Sequence, residues 1–328
     1  MEIVRLGFAL LVAFGLRSHP WLLPPPDSNI LHPIPEIERR LQYEVFEIKE
    51  VARFTQLELQ ARVAKVKLPW RVTLRFPDGV VMQVKWKTAE RGGEAFNNQP
   101  RYEIAAYLFQ KLYLTPDAYV VPPTVGRGLP VQQYRSLDPH AKPTFKHSDD
   151  VFFVLQYWLA NVTAESDFDP ERFESDSLYA RHFANLNLFC HLIWHSDANA
   201  GNVLASTDPE NPRWFSVDNG IAFGKAESQR GTHWRSLKVK RFPRATVARL
   251  RRLTRARLDS ALGVVAQYRI EDRRLVVAEK SANLNPRKGV RQTERVVQLG
   301  LTANEIKGVF ERIQKFLRKV DEGKYRTF

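Results

Sequence analysis

Between Leu178 and Gly220 the chain runs through an order of patterns that few folds accommodate. A strongly apolar stretch, Leu178 to Trp194, has the length of a buried helix. It gives way to His195-Ser196-Asp197-Ala198-Asn199-Ala200-Gly201-Asn202, all polar or small. Two short apolar runs, Val203 to Ala205 and Trp214 to Val217, then bracket a turn at Asp208 to Pro212, and the second run ends on Asp218-Asn219-Gly220. Helix, loop and hairpin in this order return the chain on itself, so Asn202 and Asp218 are expected at one end of the hairpin.

The surroundings set this unit in an α+β frame. Residues 36–66 carry Ile37, Leu41, Val45, Ile48, Val51, Leu57 and Val63, mostly three, four or seven apart, and read as one amphipathic helix or two. The period then changes. Trp70 to Phe76 and Val80 to Lys87 alternate around Pro77-Asp78-Gly79, a hairpin with Met82, Val84 and Trp86 on one face and Gln83, Lys85 and Lys87 on the other. A helix is expected over Arg101 to Leu114, and a strand pair near Val131 to Tyr134 and Val151 to Leu155. After Asp218 the pattern is mainly helical, with Val247, Leu250, Leu253, Leu258 and Leu262 on one face. Thr302-Ala303-Asn304-Glu305 is a capping box that opens a last helix. Strands with one helix first and mostly helices afterwards imply a bilobal α+β fold, a small mixed N-lobe and a larger mainly helical C-lobe. The divisions are 1–26, a signal peptide or short anchor; 27–69, a helical extension; 70–159, the N-lobe; and 160–328, the C-lobe with its basic C-terminal third.

Composition removes some chemistries. With Cys190 the only cysteine, and in an apolar stretch, there is no intramolecular disulfide framework and no paired-cysteine redox or zinc site. The net charge of +14 is lopsided: residues 225–328 hold 27 Lys+Arg against 10 Asp+Glu, so the rest is slightly acidic. Such a region is a solvated basic face or attracts an anionic acceptor or membrane surface. At the N-terminus, Arg5, the apolar run Leu6 to Leu16 and Pro24 to Pro26 resemble an export leader. An exported location is therefore expected ahead of a membrane-anchored or cytoplasmic one.

Phosphoryl transfer from ATP asks for metal ions on the phosphates, a cation near them, and a carboxylate beside the attacking hydroxyl. His195-x-Asp197-x4-Asn202 offers Asp197 for the hydroxyl and Asn202 for Mg²⁺ or Mn²⁺, and Asp218 adds a carboxylate at the strand end. Gly220 beside it permits an unusual backbone angle. Lys85 and Lys87 share a strand face, and either reaches a phosphate; Lys87 is the first choice, with Glu103 of the following helix as its ion-pair partner. Gln156, Tyr157 and Trp158 follow an apolar strand where an adenine-binding hinge would fall. His195 has no metal-ligand partners at suitable spacing and is read as a brace for its loop.

Two blocks carry a resemblance. Arg101-Tyr102-Glu103-Ile104-Ala105-Ala106-Tyr107, followed by Val121-Pro122-Pro123-Thr124-Val125-Gly126-Arg127, resembles the secretory-pathway kinases of the Golgi casein kinase family. Asp218-Asn219-Gly220-Ile221-Ala222-Phe223-Gly224 is similar to that family and to the phosphatidylinositol 3-/4-kinases. The resemblance spans residues 79–262 in separate blocks. It implies a protein-kinase-like fold using ATP and Mg²⁺ or Mn²⁺, with Asp218 on the metal. The chain departs from the secretory kinases in its single cysteine and at Asn202, so the acceptor is not carried over: protein Ser/Thr, a sugar and a lipid headgroup stay open. Two other classes remain, a catalytically silent kinase-like binding module and a basic nucleic-acid-binding protein. For the last, the seven arginines from Arg241 to Arg257 supply charge but no recognised motif accompanies them.

Overall fold

Helix α1 (Ile34–Tyr43) carries Pro35 in its first turn and buries Ile37 and Leu41, while Arg40 on its flank pairs with Glu36, Glu44 and Asp78 at 2.6–2.8 Å. Strand β1 (Glu47–Arg53) follows and pairs antiparallel with β2 (Trp70–Arg75), so the helical reading of residues 36–66 holds only as far as Tyr43. A β-bulge explains the misreading. The register slips between Ile48 and Glu50, placing Ile48 opposite Leu74 and Val51 opposite Val72. Side chains three apart thereby share a face, which mimics helical spacing. Leu57 and Val63 lie outside the described residues, because the computed structural model of the chain describes residues 28–53, 69–164, 167–224 and 229–328.

Strand β3 (Val81–Thr88) completes the expected hairpin. Met82, Val84 and Trp86 are buried on one face, and the turn closes on Gly79 at a φ of 87°. Helix α2 (Pro100–Gln110), β4 (Thr124–Pro130) and β5 (Asp150–Tyr157) finish an antiparallel sheet of order β1-β2-β3-β5-β4. The strand expected at Val131 to Tyr134 is a single helical turn; its neighbour Thr124–Pro130 takes the place beside β5. Gly126 and Gly128 hide that strand from propensity. Gly126 is needed there, since a Cβ would stand 2.6 Å from the ring of Phe152 and 2.8 Å from the Tyr268 hydroxyl.

The sheet is apolar on both faces. Val84, Trp86, Phe153 and Leu155 pack under α1 and the 131–134 turn, where the Trp86 indole N–H donates to the Tyr134 hydroxyl at 2.9 Å. Phe152 and Val154 face α2 and the remainder of the chain. A short strand β6 (Val162–Thr163) leads to helix α3 (Ser177–Ile193), capped by the Asp176 carboxylate on the N–H groups of Leu178 and Tyr179. Leu186, Leu188, Phe189 and Cys190 are fully buried on it, so Cys190 is a core side chain; burial pushes its thiol up to about 12. Strands β7 (Val203–Ser206) and β8 (Trp214–Ser216) form the expected hairpin, and β7 also pairs with β6.

Beyond β9 (Arg241–Phe242), α4 (Arg244–Arg251) and α5 (Arg255–Leu262), the structure departs from the helical expectation. Strands β10 (Ala266–Glu271), β11 (Arg274–Val277), β12 (Val290–Gln292) and β13 (Val296–Leu299) make an antiparallel sheet of order β11-β10-β13-β12. Its interior is partly polar: buried Gln298 donates to the Gln267 side chain at 2.8 Å, and buried Arg291 donates to the carbonyls of Gly263 and Leu301. These polar residues erase the apolar alternation by which strands are recognised. Helix α6 (Ala303–Asp321) opens with the capping box of Thr302 and Glu305, and β14 (Arg326–Thr327) pairs parallel with β9. The architecture is mixed α+β with several antiparallel sheets. Among the described residues no helix is long and apolar enough to cross a membrane; residues 1–26, which carry the leader expectation, are outside them.

Candidate functional site

Three elements meet at one buried charge cluster. From β3, Lys87 sends its Nζ to Glu103 Oε1 of α2 at 3.1 Å and to Asp218 Oδ1 at 2.6 Å. The second Glu103 oxygen accepts the backbone N–H of Asn219 at 2.8 Å, so one carboxylate bridges the lysine and the Asp-Asn-Gly turn. Burial opposes the charge on Lys87, but Asp218 and Glu103 outweigh it and its pKa is raised. Burial likewise opposes the Asp218 charge, yet Lys85 and Lys87 hold its carboxyl well below the usual carboxylate range.

The turn itself is specialised. Asp218, not Gly220, takes the left-handed conformation, at a φ of 56°. A non-glycine residue there costs about 1–3 kcal/mol and is kept only where its surroundings enforce it. Gly220 contributes differently than expected: a Cβ there would lie 2.9 Å from Lys87 Nζ and 3.2 Å from Glu103 Oε1 and would displace the ends of that ion pair.

A cleft of about 920 Å³ opens beside this cluster, lined by Lys85, Gln156, Tyr157, Trp158, Asn202 and Asp218 among others. Lys85, two residues before Lys87 on the same face, stands 3.3 Å from the second Asp218 oxygen. The cleft thus takes Lys85 into its wall and leaves Lys87 behind Asp218. Gln156 is buried and donates to the Thr124 hydroxyl at 3.0 Å; the N–H of Trp158 donates to the Gln83 carbonyl. The Tyr157 hydroxyl accepts the N–H of Leu31, which brings Leu31 and His32 to the cleft from a segment that sequence patterns did not connect with it.

The loop after α3 closes the opposite wall. Asn202 Nδ2 donates to the Asp197 carbonyl at 2.7 Å and to its Oδ2 at 3.2 Å, which leaves the Asn202 amide oxygen to face other partners. His195 is buried between strand and loop. Its Nδ1 accepts the N–H of Asp197, and its Nε2 lies 3.4 Å from the Val217 carbonyl, so it braces the loop as read from sequence. Burial draws its pKa down to about 4, and the ring is neutral. Burial raises the Asp197 carboxyl, opposed by Arg230 at 3.4 Å. Sequence reasoning passed over Arg230, since no spacing links it to Asp197.

Asp218 and Asn202 offer oxygen donors at one end of the β7–β8 hairpin, where the Val217 N–H also donates to the Asn202 carbonyl at 2.9 Å. Hard oxygen donors of this kind fit Mg²⁺ or Mn²⁺. Among the described residues no group of three or more His, Cys, Asp or Glu is arranged to enclose a metal. A cation there would complete its shell on water and substrate oxygens, as Mg²⁺ commonly does.

Arg101 and Tyr102 form a further link absent from the sequence reading. Arg101 makes a bidentate pair with Glu305 at 2.7 and 3.0 Å, and the Tyr102 hydroxyl donates to the same carboxylate. The helix that carries Glu103 is thereby tied at its first turn to the capping box of α6.

No family model matches the sequence, and no curated protein matches it. Among solved structures, that of hydra Fam20 with sugar is similar at a TM-score of 0.48 and 14% identity, over 90% of this chain and 92% of that one.

Proposed function

We propose that this chain is an ATP- and metal-dependent phosphotransferase, an atypical kinase with a bilobal protein-kinase-like fold, that phosphorylates a hydroxyl acceptor. The observation that carries this reading is the convergence of Lys87, Glu103 and Asp218 in one charge cluster beside a cleft that Asn202 and Lys85 also line. In this reading the adenine lies against Gln156, Tyr157 and Trp158, with the phosphates directed toward Lys85 and Lys87. Asp218 and Asn202 hold Mg²⁺ or Mn²⁺, which neutralises phosphate charge when bound. Asp197 faces the acceptor. As the acceptor oxygen bonds to the γ-phosphorus, the bond to the β–γ bridging oxygen breaks, ADP leaves, and the hydroxyl proton passes to Asp197. Desolvation of Asp197 favours that proton transfer, since a carboxylate with a raised pKa is the better base. An exported setting remains the reading of the N-terminal residues.

The test is transfer of label from γ-labelled ATP with Mg²⁺ or Mn²⁺ to protein, sugar and lipid acceptors, comparing the wild type with Asp197→Ala and Asp218→Ala. Either substitution should lower transfer by about 10²–10⁴-fold. Absence of both transfer and metal-dependent nucleotide binding in the wild type would overturn the reading.

A further inference from the structure

Gln156 stands on β5 directly opposite Lys85 of β3, so its side chain shares the sheet face of Lys85, and both line the cleft. It is 4% exposed. A primary amide has two opposite ends, an acceptor oxygen and a donor NH₂, and the end that faces the cleft decides what the cleft binds there. The surrounding hydrogen bonds fix which end that is.

Thr124, the β4 partner of Gln156 on the other side, is buried and gives its hydroxyl proton to the Pro122 carbonyl at 2.8 Å. A hydroxyl has one proton, so toward Gln156 it only accepts, and the group 3.0 Å away is the Gln156 NH₂. The reverse orientation would aim the amide oxygen at a hydroxyl with no proton left to give. The oxygen is therefore turned away from Thr124, and among the described residues no donor meets it.

The main chain beside Gln156 holds the complementary group. Tyr157, Trp158 and Ala160 donate their N–H groups to the carbonyls of Pro123, Gln83 and Asn29 at 2.8–3.0 Å. Leu159 lines the cleft between them, and no described residue accepts its N–H. An acceptor and a donor, three residues apart, remain for a ligand in a cleft that Leu204 and Val217 also line with apolar surface for a planar ring.

We propose that Gln156 selects the base of the bound nucleotide: its amide oxygen, held outward by Thr124, takes the exocyclic amino group of adenine, and the Leu159 N–H meets the adjacent ring nitrogen. Thr124 is the positioning residue. The proposal rests on the phosphotransferase reading for placing a nucleotide in this cleft, and adds to it a relay of side chains that chooses the base. Hypoxanthine reverses both groups, with a carbonyl in place of the amino group and an N–H in place of the ring acceptor. It would set oxygen against oxygen at Gln156 and proton against proton at Leu159, leaving buried polar groups unpaired.

The full chain with Mg²⁺ is titrated calorimetrically with ADP and with inosine diphosphate, which differ only along that edge. The wild type should bind ADP about 10- to 100-fold more tightly. Thr124→Val frees the amide to turn and should shrink the ratio to about threefold or less, whereas Thr124→Ser, which keeps the hydroxyl, should keep most of it. Gln156→Leu, unable to accept, should shrink the ratio too, mainly by weakening ADP. A wild type that binds the two nucleotides alike overturns the proposal, as does an undiminished ratio in Thr124→Val or in Gln156→Leu. Selective ADP binding without label transfer to any acceptor would remove the phosphotransferase reading and uphold the base assignment; equal transfer from ATP and inosine triphosphate would do the reverse. Failure to bind either diphosphate overturns both.

Discussion

Glu103 and Asn219 are joined by a 2.8 Å hydrogen bond from the Asn219 main chain to a carboxylate oxygen, while the other oxygen of Glu103 holds Lys87. The turn that carries Asp218 is thus gripped through backbone and side chain at once. Removing Lys87 leaves Glu103 buried with no cation, and breaking a buried pair in this way costs about 3–5 kcal/mol. Lys87→Met should lower the urea midpoint accordingly, and Lys87→Met with Glu103→Gln should recover part of the loss. Additive effects in that double-mutant cycle would contradict the coupling.

Lys85 should behave differently. It lines the cleft and shares Asp218 with Lys87, which stays in place, so Lys85→Met should cost less stability than Lys87→Met, which also strips Glu103 of its cation. One charge-assisted contact to a phosphate is worth about 1.5–3 kcal/mol, so affinity for ATP should fall roughly 10- to 100-fold while affinity for adenosine holds. Calorimetric titration with both ligands checks this, and equal losses for the two would assign Lys85 to the base instead.

Gly220→Ala places a methyl 2.9 Å from Lys87 Nζ. Overpacking at such a site costs about 1–3 kcal/mol, and the displaced lysine should weaken metal-dependent nucleotide binding. A variant with wild-type stability and ATP affinity would show that the Lys87 side chain moves aside without loss.

The folded-state pKa of His195, about 4, is depressed below its ordinary value near 6.5. The unfolded chain therefore binds more protons than the folded one between those values, and stability rises with pH across the window. The contribution, on the order of 3 kcal/mol, is complete above pH 6.5 and is lost as pH falls toward 4. Urea midpoints measured from pH 7 to pH 4.5 should fall less steeply in His195→Gln than in the wild type. Parallel curves would remove His195 as a cause.

Much of the site was legible because its residues are tied to strong local patterns. Lys85 and Lys87 stand on a hairpin with clear alternation, Asp197 and Asn202 follow a helix too apolar to be anything else, and β7 and β8 are marked by their turn. What escaped has physical causes: a bulge in β1 that imitates helical spacing, glycines in β4 dictated by the Phe152 ring, and a polar interior to the β10–β13 sheet. The pairs Arg230 with Asp197 and Arg101 with Glu305 are tertiary, and no period in a sequence encodes them.

The Arg101–Glu305 pair also bears on how the protein is made. Synthesis delivers α2 long before α6, and until residue 305 has left the ribosome Arg101 has only Glu94, at 2.8 Å, as a counterion at the foot of the Glu103 helix. An interrupted chain ending before Thr302 would contain every residue of the cleft and still lack the strut that sets Glu103. The tie between the first turn of α2 and the capping box of α6 therefore forms later in synthesis than the contacts among Lys87, Glu103 and Asp218.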